Sequence, residues 1–91
     1  MTQDSRNKDM DKIILPELGE GINKAVVACW HYKIGDRIKE GDDVVELVTD
    51  KASFNVPADC SGILEDILVK EGENAPIGAV LGLINTKNNR P

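Results

Sequence analysis

The apolar positions of the chain fall in short valine-, isoleucine- and leucine-rich runs separated by glycine and proline. That pattern predicts many short strands joined by turns. Sliding the sequence against itself by 37 residues makes the pattern coherent. Lys33-Ile34-Gly35-Asp36-Arg37-Ile38-Lys39-Glu40-Gly41 lies over Lys70-Glu71-Gly72-Glu73-Asn74-Ala75-Pro76-Ile77-Gly78, with an acid after each first glycine. Upstream, Val26 and Val27 lie over Ile63 and Leu64, Trp30 over Ile67 and Tyr32 over Val69. Downstream, Val44 lies over Leu81, Leu47 over Ile84 and Thr49 over Thr86. Gly35, Gly41, Gly72 and Gly78 therefore mark turns that need a permissive backbone. Two antiparallel halves are read, from about Ile13 to Asp50 and from Asp50 to Lys87. Each is too small to bury its apolar face alone, so the halves are expected to pack face to face as an all-β sandwich or flattened barrel.

Lys51 sits at the junction of the halves. The closing strand of the first (Val44 to Thr49) turns through Asp50 and Lys51 into the opening strand of the second (Ala52 to Val56). Pro57 ends that strand, because proline removes a ladder donor. The tightest hairpin tips use glycine or asparagine to reach positive φ, yet none stands between Thr49 and Ala52. A lysine at an exposed tip is commonly a solubility device. Here it is also the symmetry seam of a chain with no other candidate for chemistry. Residues 1–11 and 87–91 are polar and read as tails flanking a domain over 12–86.

Composition narrows the function classes. Sixteen Asp and Glu against eleven Lys and Arg give a formal charge of −5, which argues against a nucleic-acid or anionic-membrane partner. No apolar run reaches the length of a membrane span. The first eleven residues lack the apolar stretch of a signal peptide and carry three Asp, unlike a transit peptide, so a bacterial-type cytoplasm is the expected location. Cys29 and Cys60 stand apart, with no CxxC and with His31 as the single histidine. Two reduced thiols are expected rather than a disulfide or a zinc site. His31 reads as a surface strand residue and Trp30 as core or edge packing.

Taken together, Leu15-Pro16-Glu17-Leu18-Gly19-Glu20-Gly21-Ile22, Trp30, Gly35-Asp36, Glu40-Gly41-Asp42 and Glu46-Leu47-Val48-Thr49-Asp50-Lys51-Ala52 closely resemble a lipoyl domain. That family belongs to the acyltransferase (E2) components of 2-oxo acid dehydrogenase complexes. The match continues through Pro57, Ser61-Gly62, Leu68-Val69-Lys70-Glu71-Gly72 and Ile77-Gly78. It implies two four-stranded antiparallel sheets with quasi-twofold symmetry, a barrel-sandwich hybrid in agreement with the internal repeat. It also implies that a lipoate-attachment enzyme joins lipoate to the Lys51 amine. The non-catalytic domain, a monomer when isolated, would then serve the thiamin-dependent decarboxylase (E1), the acyltransferase core (E2) and the flavin dehydrogenase (E3). Thr49, Asp50 and Ala52 around the lysine, with Glu46, Glu20 and Gly21, are the implied recognition residues. Asp50 is assigned to recognition because a neighbouring carboxylate does not make an amine a better nucleophile. Rigid placement by strand register, rather than reactivity, is what the tip provides.

Two departures from the family pattern bear on the decarboxylase. Val48 stands where another acid is common, and Asn23-Lys24-Ala25 replaces a segment that is commonly acidic and glycine-containing. A biotinyl carrier shares the fold, but its methionine-flanked lysine differs from Asp50-Lys51-Ala52, and the methionines here are Met1 and Met10. The glycine-cleavage H protein is longer and differs around its lysine. A free-standing lipoyl carrier and an interaction domain with a bare lysine are the remaining readings.

Overall fold

The computed structural model describes residues 10–86. Expectations for residues 1–9 and 87–91 lie outside the described residues. Eight strands follow in order: β1 (Met10–Ile14), β2 (Lys24–Trp30), β3 (Arg37–Ile38), β4 (Asp43–Val48), β5 (Ser53–Pro57), β6 (Gly62–Ile67), β7 (Asn74–Pro76) and β8 (Val80–Asn85). They form two four-stranded antiparallel sheets, ordered β1-β8-β6-β3 and β5-β4-β2-β7.

The all-β, two-sheet architecture agrees with the sequence reading, but the halves do not form one sheet each. Every sheet takes two strands from each half. The cause is local. Gly35, Gly41, Gly72 and Gly78 all adopt positive φ, between 88° and 99°, and their turns carry the chain across from one sheet to the other. Consecutive strands therefore land in opposite layers. Among the described residues, β4 and β5 are the one consecutive pair that share a sheet as direct neighbours.

The 37-residue repeat is visible down to single hydrogen bonds. It carries β2 onto β6, β3 onto β7 and β4 onto β8. Gly35 N–H donates to Leu64 O, and Gly72 N–H to Val27 O, both at 2.8 Å. Ladder register slips at Ala28 in β2 and at the matching Glu65 in β6, and again at Val44 in β4 and Leu81 in β8.

The core obeys the same symmetry. Val27 and Leu64, Ile38 and Ala75, Val44 and Leu81, and Leu47 and Ile84 are matched pairs, and all are buried. Ile13 and Leu15 play the parts of Val56 and Ala58. Burying one Val, Leu or Ile side chain contributes about 1.5–3 kcal/mol, and no polar or charged residue is buried among them. Trp30 packs against the core from the end of β2. Its indole N–H donates to Val69 O at 2.9 Å, and its ring lies over Gly82, where a Cβ would come within 2.8 Å of it.

One end of the domain begins earlier than the sequence suggests. Met10 and Asp11, read as tail, are the first residues of β1, paired with Asn85 and Ile84. Backbone pairing to β8 orders them despite their polar neighbourhood, and Asp11 accepts a hydrogen bond from the Cys60 thiol at 3.4 Å.

Candidate functional site

The β4–β5 tip is built by Thr49. The last ladder pair is Val48 with Ser53, leaving Thr49-Asp50-Lys51-Ala52 to turn the chain. None of these has positive φ, so the tip is not one of the primed turns that ordinary two-residue hairpins use. The Thr49 hydroxyl substitutes for them. It accepts from Lys51 N–H at 3.1 Å and from Ala52 N–H at 3.0 Å, and donates to Ala52 O at 2.9 Å. Thr49 N–H closes the loop onto Ala52 O at 2.8 Å. A side-chain oxygen standing in for a main-chain carbonyl is what lets two non-glycine residues occupy the tip.

Asp50 and Lys51 are both exposed. Lys51 Nζ has no hydrogen-bond or ion-pair partner among the described residues. A free primary amine on a fixed backbone is the donor that amide attachment of a carboxylic cofactor requires, so Lys51 fits the group the sequence resemblance implies.

The loop between β1 and β2 breaks the twofold symmetry beside this lysine. Nine residues lie between Leu15 and Ala25, but only three between the matching Ala58 and Gly62. The additional residues carry Gly19 (φ +143°) and Gly21 (φ +84°), with Leu18 tucked against the core. Ile22 N–H donates to Gly19 O at 3.1 Å, holding the bend. A Cβ on Gly21 would lie 3.8 Å from Lys51 Nζ. Gly21, Ile22, Val26, Val48, Thr49 and Asp50 line a groove of about 420 Å³ against the tip. Thr49, Asp50, Ala52 and Gly21 are thus brought together around Lys51, with Glu20 exposed next to Gly21 on the same loop.

Glu46 is not brought to the tip. It lies three residues down β4, roughly 10 Å along the strand from Thr49. There it is half-buried and accepts a contact from Cys29 Sγ at 3.7 Å. His31 is beside the same pair, and the three ligand-type atoms lie within 4.8 Å of one another. The sequence reading missed this cluster because Glu46 is 17 residues from Cys29 and arrives by sheet pairing. Burial, and next the Glu46 carboxylate, push the Cys29 thiol above its usual value. Both cysteines are free thiols.

The far end of the β4–β5 hairpin lies against the start of β1. Asp11 contacts Cys60, and Asp11 and Lys12 line one groove with Pro57 and Asp59. From Val48–Ser53 to Asp43–Pro57 the hairpin spans roughly 17 Å. Met10 and Asn85, paired with each other, therefore lie away from Lys51.

Comparison with known proteins agrees with this geometry. Residues 11–84 match the biotin/lipoyl attachment family model, described as "Biotin-requiring enzyme". The dihydrolipoyllysine-residue succinyltransferase component of the 2-oxoglutarate dehydrogenase complex from Buchnera aphidicola (subsp. Schizaphis graminum) is 43% identical over 77 residues, covering 84% of this chain and 20% of that protein. The same component from Haemophilus influenzae is 40% identical over 75 residues, covering 82% of this chain and 18% of that protein. The chain thus spans about a fifth of the length of these relatives. The solution structure of the lipoyl domain of the Azotobacter vinelandii 2-oxoglutarate dehydrogenase complex superposes with a TM-score of 0.66 at 33% identity, covering 80% of this chain and 92% of that one. Urea carboxylase from Kluyveromyces lactis, at 22% identity and a TM-score of 0.71 over 84% of this chain and 6% of its own, shares the fold. With the family model spanning both sheets and a lipoyl domain matched over nearly its whole length, the chain belongs to the biotin/lipoyl attachment family and, within it, to the lipoyl domains.

Proposed function

We propose that this chain is a carrier domain that bears lipoate as an amide on Lys51 and serves the successive active sites of a 2-oxo acid dehydrogenase complex. The observation that carries the reading is the placement of Lys51. Among the described residues, it is an unpaired amine at the tip of the one hairpin that stays within a sheet, in a chain of the lipoyl-domain family. The lipoyl group, when attached, supplies a disulfide that takes up an acyl group with two electrons from the decarboxylase, yields the acyl group to coenzyme A, and is reoxidised by the flavin dehydrogenase.

The chain's own residues provide position. Thr49 fixes the backbone at Lys51 by three hydrogen bonds, so an attachment enzyme meets the amine at a constant orientation. Amide formation removes one positive charge from the tip and leaves Asp50 as its neighbouring charge. Asp50, Glu20 and the Gly21 loop form the surface that an attachment enzyme or decarboxylase reads beside the lysine. Positive groups on the partner complement the two carboxylates. Met10 on β1 and Asn85 on β8, paired with each other, lie away from the Lys51 end of the domain.

The relatives' names make the 2-oxoglutarate complex the first to test. Lipoylated chain mixed with a 2-oxoglutarate decarboxylase and its substrate is expected to gain one succinyl group per molecule. A pyruvate-specific decarboxylase with pyruvate is expected to transfer far more slowly. Faster transfer from the pyruvate enzyme would reassign the complex, and transfer from neither would remove the proposed role.

A further inference from the structure

The outer face of the Lys51-bearing sheet gathers a second set of reactive groups. Cys29 on β2 is the register partner of Glu46 on β4, and Glu46 is the partner of Asn55 on β5. Directly opposed residues of an antiparallel sheet share a face, so these three form a row across three strands. His31 follows two residues after Cys29, and its Nε2 lies 3.0 Å from Asn55 Oδ1. Among the described residues, Cys29, His31 and Glu46 are the one group of three potential ligands converging within 4.8 Å.

We propose that Cys29, His31 and Glu46 form a three-ligand site for a zinc-class divalent cation, with a fourth position open to solvent. A thiolate, an imidazole and a carboxylate form a borderline donor set. It suits Zn²⁺ or Co²⁺, not Mg²⁺ or Ca²⁺, which take oxygen ligands, nor Cu⁺, which favours several sulfurs. Metal–ligand bonds of about 2.0–2.3 Å put tetrahedral ligand atoms roughly 3.5 Å apart. Cys29 Sγ and Glu46 Oε1 already stand at 3.7 Å. The remaining closure is side-chain rotation, with Cys29 and Glu46 on paired strands and His31 just past the end of β2.

Two surrounding features fit the same role. With its proton on Nε2 and donated to Asn55, His31 carries its lone pair on Nδ1, the arrangement by which an outer-shell partner orients a ligating imidazole. Cys29 and Glu46 are half-buried while His31 is exposed, which gives the ion an entry path. On binding, the Cys29 S–H bond is replaced by a sulfur–metal bond and the proton passes to solvent, with no change of oxidation state. The site lies along β4 from the tip, so it does not require Lys51.

The test uses the reduced, metal-stripped chain with Co²⁺ and then Zn²⁺ as probes. One equivalent of Co²⁺ is expected to give the visible bands of tetrahedral coordination and a thiolate-to-cobalt charge-transfer band, and one equivalent of Zn²⁺ to abolish both. Cys29→Ser is expected to remove the charge-transfer band. His31→Gln, at an exposed position and with an intact fold verified by circular dichroism, is expected to weaken binding about tenfold or more. Cys60→Ser and Lys51→Arg are expected to leave the spectrum unchanged. No charge transfer at one equivalent, its persistence in Cys29→Ser, its loss in Cys60→Ser, or unchanged affinity in His31→Gln would each overturn the proposal.

Discussion

A methyl group on Gly21 would stand 3.8 Å from Lys51 Nζ, although the two are thirty positions apart in the chain. The loop that breaks the twofold symmetry is thereby placed against the lysine at its seam. Gly21 also has φ +84°, a region that costs an L-residue about 1–2 kcal/mol. Gly21→Ala is expected to lower stability by that amount in urea titration and to slow lipoate attachment. Gly35→Ala is its control, with φ +99° but nothing within 4 Å of the new methyl. It should cost similar stability and leave attachment unchanged.

Thr49 is the residue that makes a glycine-free tip workable. Thr49→Val keeps the shape and loses three hydrogen bonds, two accepted and one donated. At about 0.5–1.5 kcal/mol each at most, and less where water replaces them, the expected loss of stability is about 1 kcal/mol. The larger effect should be on attachment rate, because the backbone at Lys51 is no longer fixed. Thr49→Ser, which keeps the hydroxyl, should restore that rate. Equal rates in all three chains would show that the hydroxyl does not position the lysine.

Gly62 is a close-approach position. A Cβ there would come within 2.5 Å of Asn85 O and 2.7 Å of the Ile84 side chain. Its counterpart in the first half, Ala25, is buried with room for its methyl. Gly62→Ala is expected to push β6 from β8 and cost about 1–3 kcal/mol. Each kcal/mol lowers the melting temperature by about 4–8 °C for a domain of this size. Thermal unfolding checks this, with Ala25→Gly as the reciprocal change.

Burial, then the hydrogen bond to Asp11, push the Cys60 thiol up to about 11 from an ordinary 9.0. Between those values the unfolded chain has lost the Cys60 proton while the folded chain keeps it. The unfolded state then binds fewer protons, and stability falls as pH rises through the window. Below pH 9 the contribution is complete. The urea midpoint followed from pH 8 to 11 should decline less steeply in Cys60→Ala than in the parent chain.

Much of this was legible in the sequence because symmetry was written into it. The glycine pair at 35 and 41 and its copy at 72 and 78 all became positive-φ turns. Of the matched apolar positions, Val27, Leu64, Val44, Leu81, Leu47 and Ile84 became core, while Trp30, Ile67, Tyr32 and Val69 pack half-buried against it. The exchange of strands between halves was not legible, because a 37-residue offset is satisfied equally by halves stacked as layers and by halves interleaved. Nor was the start of β1 at Met10, where backbone pairing to Asn85 orders residues whose side chains carry no strand signal. At the site, Lys51 and Asp50 were readable from the seam. The hydroxyl scaffold of Thr49 was not, since it depends on side-chain geometry within a turn. Glu46 was assigned to the lysine's surroundings by proximity in sequence. Strand alternation and sheet pairing instead set it against Cys29 and His31.

Attachment of lipoate to Lys51 is read most directly by intact mass. The chain should be expressed with lipoate, biotin and the enzymes that attach each. A mass increase of one lipoyl group is expected, located to Lys51 by peptide mapping and absent from Lys51→Arg. An unmodified mass, a biotinyl increment, or a lipoyl group that persists in Lys51→Arg would contradict it.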